Sequence, residues 1–307
     1  MSEAFRLVDE GAMLVLEIDR AQTKNSLKLV EMEALGGTLA SDRVQAARCL
    51  VIRGAGVSFC SGRDVREIDP EGEDAQDVLL NRIGPVLQKL YTLPVPTIAS
   101  VRGPALGFGL GLALACDITI AAEDAIFGSP FRRIGAVLDS GGHYFFQQRL
   151  GRHRAAELVF TGRMLSGREA ADLGLINEAI AADALAARTT ELANLIASGP
   201  TAAFRATKEI LAEDRSFAQV LGLEARYQKE VTRGPDGQEG LTAFRERRSP
   251  VFRGCERGDV VYPTFPRSQN VSRCLYTLVK SASRPSAFSA SAKISVRSCG
   301  SDPENPT

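Results

Sequence analysis

Val101-Arg102-Gly103-Pro104-Ala105-Leu106-Gly107-Phe108-Gly109-Leu110-Gly111 is where a buried strand ends and an apolar helix begins. The first turn of a helix leaves amides without intrahelical partners and carries the positive end of the helix dipole, a setting that suits a developing oxyanion. Close packing of helix on sheet would account for these glycines equally well. Working outward, short apolar runs at Met13–Asp19, Cys49–Arg53, Pro96–Val101 and Asp117–Ala121 read as strands. They alternate with helical stretches near 27–40, 76–92 and 106–115, which predicts an α/β fold. Gly54, Gly56, Gly62, Gly103 and Gly107 fall at the strand ends, where open α/β sheets place ligands.

A second glycine turn precedes the first: Phe59-Cys60-Ser61-Gly62-Arg63-Asp64 follows the strand ending at Arg53, with small residues that let backbone approach a ligand. Alone, it reads as a tight Ser-Gly turn. The whole chain of 307 residues is 44% hydrophobic and 24% charged, enough to bury a full core. Thirty-seven basic residues balance thirty-seven acidic ones, which argues against a nucleic-acid or anionic-membrane partner and favours small-molecule chemistry.

The chain opens on an amphipathic segment without a secretion-signal pattern. Its longest apolar stretch, Leu106 to Ala115, is too short to span a membrane and reads as a core helix. Six cysteines occur without CxxC spacing, and the apolar surroundings of Cys49, Cys60 and Cys116 predict reduced, buried thiols in a cytoplasmic protein. From about 182 to 247 the strands give way to Ala-, Leu- and Arg-rich helical segments, broken at Ser198-Gly199-Pro200 and Gly234-Pro235-Asp236-Gly237. Residues 255–307, with Cys255, Cys274 and Cys299, are rich in Ser, Arg and Pro and read as a disordered tail.

Taken together, the two glycine turns, about 45 residues apart and in this order, resemble the paired oxyanion-hole loops of the crotonase (enoyl-CoA hydratase/isomerase) family. The resemblance continues through Cys116-Asp117-Ile118-Thr119-Ile120-Ala121-Ala122, Phe127-Gly128, Ile134-Gly135, Arg149-Leu150-Gly151, Ala170-Ala171-Asp172-Leu173-Gly174-Leu175-Ile176 and Phe244-Arg245-Glu246-Arg247-Arg248-Ser249-Pro250. It covers residues 5 to about 254. It implies a ββα superhelix over 1–195 that binds acyl-CoA, and a helical subdomain over 196–254 that builds a homotrimer or a dimer of trimers. It also implies two oxyanion donors, the backbone amides of Arg63 and Phe108, with Gly62, Asp64, Gly107 and Gly109 around the thioester. Phe108 stands where hydratases have glycine, but an amide donor survives any substitution except proline.

The two glutamates with which the family's hydratases add water fall on Gly111 and Phe131, both left as lining positions. Neither can move a proton, and hydration must both activate water and protonate the α-carbon. A carboxylate does occur eight residues after Phe131, in Gly135-Ala136-Val137-Leu138-Asp139-Ser140-Gly141-Gly142. Taken alone, Asp139 reads as the N-cap of a helix beginning near Gly141. The resemblance instead aligns it with the catalytic acid of dienoyl-CoA isomerases and phenylacetate-pathway isomerases. These also share the closing Arg248-Ser249-Pro250-Val251-Phe252 pattern. The implied chemistry is a shift of a double bond through an enolate, with Asp139 as the single acid/base and no metal or redox cofactor. A wall of Val137, Leu138 and Phe131 predicts a raised Asp139 pKa.

The family also implies a basic residue on the coenzyme A phosphates, and Arg247 matches that position, with Lys24 and Arg66 as further candidates. A solvated basic face over 245–248 is the competing explanation. His143 and His153, the only histidines, read as surface or packing residues, although His143 lies one helical turn beyond Asp139. Three other functions compete: an enoyl-CoA hydratase, opposed by Gly111 and Phe131; an aromatic dehalogenase, opposed by the absence of tryptophan; and a non-catalytic acyl-CoA-binding homologue.

Overall fold

Val15, Leu16, Ile18, Leu50, Ile52, Ile98 and Ala99 are all fully enclosed, so neighbouring side chains on both faces of their strands meet protein. That is the pattern of a parallel sheet covered on two sides. The computed structural model describes residues 4–69 and 71–254. Its main sheet has the order β1 (Phe5–Glu10), β2 (Met13–Ile18), β3 (Leu50–Gly54), β4 (Thr97–Val101), β6 (Ile118–Ala122) and β9 (Glu178–Ile180). Only β1 runs antiparallel to its neighbour; Leu14 pairs with Leu50, Leu50 with Thr97 and Ile98 with Ile118 in parallel register. A smaller sheet orders β5 (Pro104–Leu106), β7 (Ile126–Gly128) and β8 (Leu165–Ser166). Single parallel bridges, Cys60 with Ala105 and Leu27 with Arg63, carry this second layer toward the N-terminal turns.

The helices are α1 (Leu29–Leu39), α2 (Asp42–Ala46), α3 (Ala75–Asp77), α4 (Gly84–Tyr91), α5 (Phe108–Leu114), α6 (Gly142–Thr161), α7 (Gly167–Asp172), α8 (Leu185–Ala197), α9 (Thr201–Leu211), α10 (Phe217–Val231) and α11 (Pro235–Glu246). A π-helical turn over Val78–Ile83 joins α3 to α4, and Gly151 interrupts α6. Local chemistry sets several starts. Ser166 and Ser216 close capping boxes with Glu169 and Gln219, and Pro235 opens α11.

The repeat is now visible: a strand in the main sheet, a short strand or bridge in the second layer, then a helix. It recurs as β3–Cys60–α4, β4–β5–α5 and β6–β7–α6, which is the expected ββα superhelix. The expected long strands and helices lie within one or two residues of the observed ones. The two- and three-residue strands of the second layer were not foreseen, since so few residues carry no period.

Helices α8 to α11 follow the spiral. Ser100 Oγ meets Thr189 Oγ1 of α8 at 2.9 Å, and Lys208 Nζ of α9 reaches Asp117 Oδ2 at 2.7 Å and Val95 O at 3.0 Å. Arg48 donates to Gly199 O at 2.7 Å and to Phe252 O. Cys49, Cys60 and Cys116 are free and buried, as expected, and burial pushes each thiol up to about 12. The tail over 255–307, with its three cysteines, lies outside the described residues. Among the described residues no helix is long and apolar enough to cross a membrane.

Candidate active site

Because β5 runs parallel to β7 and to the Cys60 bridge, their carboxyl ends collect on one side, and the two glycine turns meet there. Cys60 N–H donates to Pro104 O and Leu106 N–H to Cys60 O, each at 3.0 Å. Gly109 permits this contact: a Cβ on it would lie 2.1 Å from Cys60 O. A Cβ on Gly62, whose φ is +96°, would lie 3.6 Å from Phe108 N. The two turns therefore meet at Gly62, the neighbour of Arg63, and Phe108.

The directions of those donors follow from the flat trans peptide, in which N–H and C=O point opposite ways. Gly62 O accepts from Leu27 N–H at 2.9 Å, so the Arg63 N–H points away from Leu27. Gly107 O accepts from Gly111 N–H at 3.1 Å, so the Phe108 N–H points back out of the start of α5. The Phe108 side chain is buried in the core.

Asp139 arrives on the connection between β7 and α6. It is not a helix cap. Gly141 occupies the N-cap position, and the Asp139 carboxylate accepts from Ser140 Oγ at 2.8 Å instead. Ser140 and Gly141 both adopt positive φ, at 55° and 77°, which turns the chain sharply into α6. A Cβ on Gly111 would lie 2.2 Å from Ser140 O and 2.8 Å from Ser140 Cβ. Gly111 follows Phe108 by one turn of α5, so the Asp139 segment presses on the helix that carries the second donor. Phe131 lies over the same corner, its Cζ 3.6 Å from where a Gly107 Cβ would be.

Burial pushes the Asp139 carboxyl above its ordinary range; the Ser140 hydrogen bond and the Arg63 charge pull the other way and do not offset it. The direction matches expectation but the wall differs. Leu138 is buried and Phe131 partly so, while Val137 is 77% exposed and so forms no part of that wall.

The sequence from 9 to 255 matches the family model for enoyl-CoA hydratase/isomerase. The chain belongs to the enoyl-CoA hydratase/isomerase, or crotonase, family. It is 36% identical over 249 residues to a probable enoyl-CoA hydratase of Rhodobacter capsulatus, covering 80% of this chain and 96% of that one. It is 35% identical over 255 residues to the 1,2-epoxyphenylacetyl-CoA isomerase of Escherichia coli, covering 80% and 97%. Among solved structures, the enoyl-CoA hydratase of Bacillus anthracis superposes with a TM-score of 0.75 at 30% identity, over 81% of this chain and 99% of that one.

For a crotonase the remaining candidates are more dispersed. Lys24 adopts a positive φ of 55°, its carbonyl accepts from Ser61 N–H in the first glycine turn at 3.1 Å, and its side chain is exposed. Asp64 is buried and caps the short helical turn after it; the exposed Arg66 grips its carboxylate at 2.6 Å and holds it well below the usual range. Arg247 belongs to another element, ending α11 in left-handed conformation with its side chain exposed. His143 and His153 are exposed on α6. Among the described residues no group of three His, Cys, Asp or Glu side chains could hold a metal ion.

Three contributors escaped the sequence. Asn25 is fully buried and bonds Arg20 N, Ala55 O and Ser58 O, fixing the loop that carries Lys24. Arg149 donates to Leu114 O at 2.8 Å, capping the far end of α5, and to Leu175 O. Glu73 pairs with the Arg63 side chain. Asn25 had a local signal, a turn-forming residue in Lys24-Asn25-Ser26; the other two partners are set only by the fold.

Proposed function

We propose that this crotonase isomerises unsaturated or ring-modified acyl-CoA thioesters. The observation that carries this reading is at Gly111, where Ser140 fills the space a side chain would need. The position from which the family's hydratases are expected to extend a glutamate cannot carry one while the Asp139 segment is in place. One partly buried carboxylate, Asp139, remains on that segment, and one suffices for an isomerase. Asp139 takes the proton α to the thioester as that C–H bond breaks, and the electron pair moves onto the carbonyl oxygen facing the Arg63 and Phe108 amides. The enolate then collapses, the double bond moves, and the proton returns two carbons along. The raised pKa favours both halves of that transfer. The name of the Escherichia coli relative supports the ring-modified branch.

The same reading assigns Arg247, with Lys24 and Arg66, to the phosphates of coenzyme A. It places homotrimer contacts on α9 to α11, where Leu211, Phe217 and Phe244 are exposed apolar side chains.

Incubation of a 3-enoyl-CoA in deuterated water tests the function. Wild-type protein should yield deuterated 2-enoyl-CoA, and Asp139→Asn should lower the rate by roughly 10²–10⁴-fold. Equal exchange by both would remove Asp139 from the mechanism. Accumulation of 3-hydroxyacyl-CoA would select the hydratase reading that the Rhodobacter relative's name favours. Acyl-CoA binding without turnover would select the non-catalytic one.

A further inference from the structure

Helix α11 ends on an arginine in a conformation that glycine usually supplies. Arg247 has φ 55° and ψ 39°. The chain turns there, with the Arg247 N–H donating to Phe244 O at 3.3 Å and the Arg248 N–H to Ala243 O at 3.0 Å. A side chain at this left-handed position carries backbone strain that glycine would avoid. The helix dipole does not explain the choice, because Arg245 already brings a cation to the last turn. The Arg247 side chain is exposed and, among the described residues, engages no partner.

What holds the strained turn is the carboxylate of Glu239, further back on α11. Its Oε1 and Oε2 grip the Arg248 guanidinium at 2.6 and 2.9 Å, and Oε1 also accepts from the Val251 N–H at 2.8 Å. These bonds, that of Arg248 foremost, hold the Glu239 carboxyl down at about 2. Glu246 adds a bond to Arg248 Nε at 2.7 Å. Farther along, Asp236 Oδ1 accepts from the Arg253 and Gly254 N–H groups at 3.0 and 3.3 Å, and Arg48 reaches Phe252 O at 3.2 Å. The two adjacent arginines thus differ in their tasks: Arg248 fastens the closing segment back onto α11, and Arg247 faces outward.

We infer that Glu239 is a positioning residue for Arg247: by clamping Arg248 and the Val251 amide, it keeps Arg247 in left-handed backbone with its guanidinium presented to the phosphates of a coenzyme A thioester. The inference rests on the assignment of Arg247 to those phosphates proposed above. Its sign is one that simple electrostatics does not share. Removing the Glu239 charge leaves the neighbourhood more cationic, so attraction through space for a phosphate should grow. Loss of positioning should weaken binding instead.

The test titrates the full-length protein calorimetrically with octanoyl-CoA and with octanoyl-pantetheine, which share the thioester and differ in the phosphates and adenosine. Neither probe carries a double bond to move, so the outcome does not depend on the isomerase reading. The quantity read is the ratio of the two affinities. Arg247→Gln should lower the preference for the CoA probe about tenfold, the lower end of what a hydrogen bond to a charged group contributes, and Glu239→Gln should lower it roughly threefold or more. Glu239→Asp keeps the charge but is one methylene short of spanning Arg248 and the Val251 N–H. It should lower the ratio likewise, and it decides if Glu239→Gln does not fold. A ratio that holds or rises in the Glu239 variants, while Arg247→Gln lowers it, overturns the positioning role and leaves the phosphate assignment standing. Equal weakening of both probes makes Glu239 a structural clamp only and also overturns it. No change of ratio in Arg247→Gln removes the phosphate assignment and the inference with it.

Discussion

The two halves of the site are made from different materials. The proposed oxyanion half consists of peptide N–H groups whose directions are fixed by the bonds of their neighbours, Leu27 N–H on Gly62 O and Gly111 N–H on Gly107 O. An arginine and a phenylalanine can supply these donors because side-chain identity hardly enters. The proposed proton-transfer half is one carboxylate on the connection between β7 and α6, and its place depends on Gly111 having no side chain and on Ser140 tolerating a positive φ. Backbone chemistry is robust to sequence and side-chain chemistry is not, and each substitution below loads one half while sparing the other.

The largest effect should come from deleting a backbone donor. Phe108 is the first residue of α5, where proline is sterically acceptable and removes only the N–H. Phe108→Pro and Phe108→Ala both lose the buried ring, so their ratio isolates the amide. We expect kcat of the proline variant to fall a further 10²–10³-fold below that of the alanine variant, about the worth of one oxyanion donor. Equal rates would remove this amide from the hole.

A smaller loss should follow a single methyl at Gly111. Its Cβ meets backbone at 2.2 Å, so the segment bearing Ser140 and Asp139 must move. A displacement near 1 Å should lower kcat by up to ~10²-fold, while KM for the thioester stays close to wild type because both amides remain. A loss confined to KM would mean that Gly111 serves binding. Gly111→Glu should not restore hydration, since the larger side chain displaces the same segment.

The sequence disclosed these halves unequally. The two glycine turns were legible as strand ends, and the long strands were legible from runs such as Ile118–Ala122; the oxyanion role of the turns came from the family resemblance. Asp139 was legible only as a carboxylate with two readings, because a helix-capping aspartate and a free one look alike until the hydrogen bond from Ser140 is seen. Contacts between distant segments had no sequence signal at all. Gly111 and Ser140 are 29 positions apart, 140 − 111, and they meet only because β6, β7 and the turn after them bring the chain back over α5. The same holds for Glu73 beside Arg63, and for β7 and β8, which are too short to show a period.

The pH dependence of the proton-transfer half should shift modestly with its one hydrogen bond. Ser140 Oγ donates to the Asp139 carboxylate and favours its charged form. Ser140→Ala should therefore raise the pKa seen in the acid limb of kcat/KM, by less than one pH unit, and leave the alkaline plateau within a few-fold of wild type. A downward shift would mean that Ser140 stabilises the protonated acid.

The smallest effect is on stability and runs opposite to activity. Burial raises the folded-state pKa of Asp139 above its unfolded value, so the ionised carboxylate is less welcome in the fold than in the unfolded chain. Its contribution to stability is fully present below the unfolded pKa and is lost as pH rises through the folded one. Above the folded-state pKa the wild type has lost it, whereas an amide at 139 has no charge to desolvate and can still accept from Ser140. Asp139→Asn should accordingly melt at a higher temperature than wild type near pH 8, and the gap should shrink as pH falls toward the ordinary carboxylate range. Phe108→Pro should show no such pH-dependent gain, because a backbone donor carries no titrating charge. If Asp139→Asn melts lower than wild type at every pH, the carboxylate is a structural ligand of its own turn, and the contrast between the two halves of the site fails.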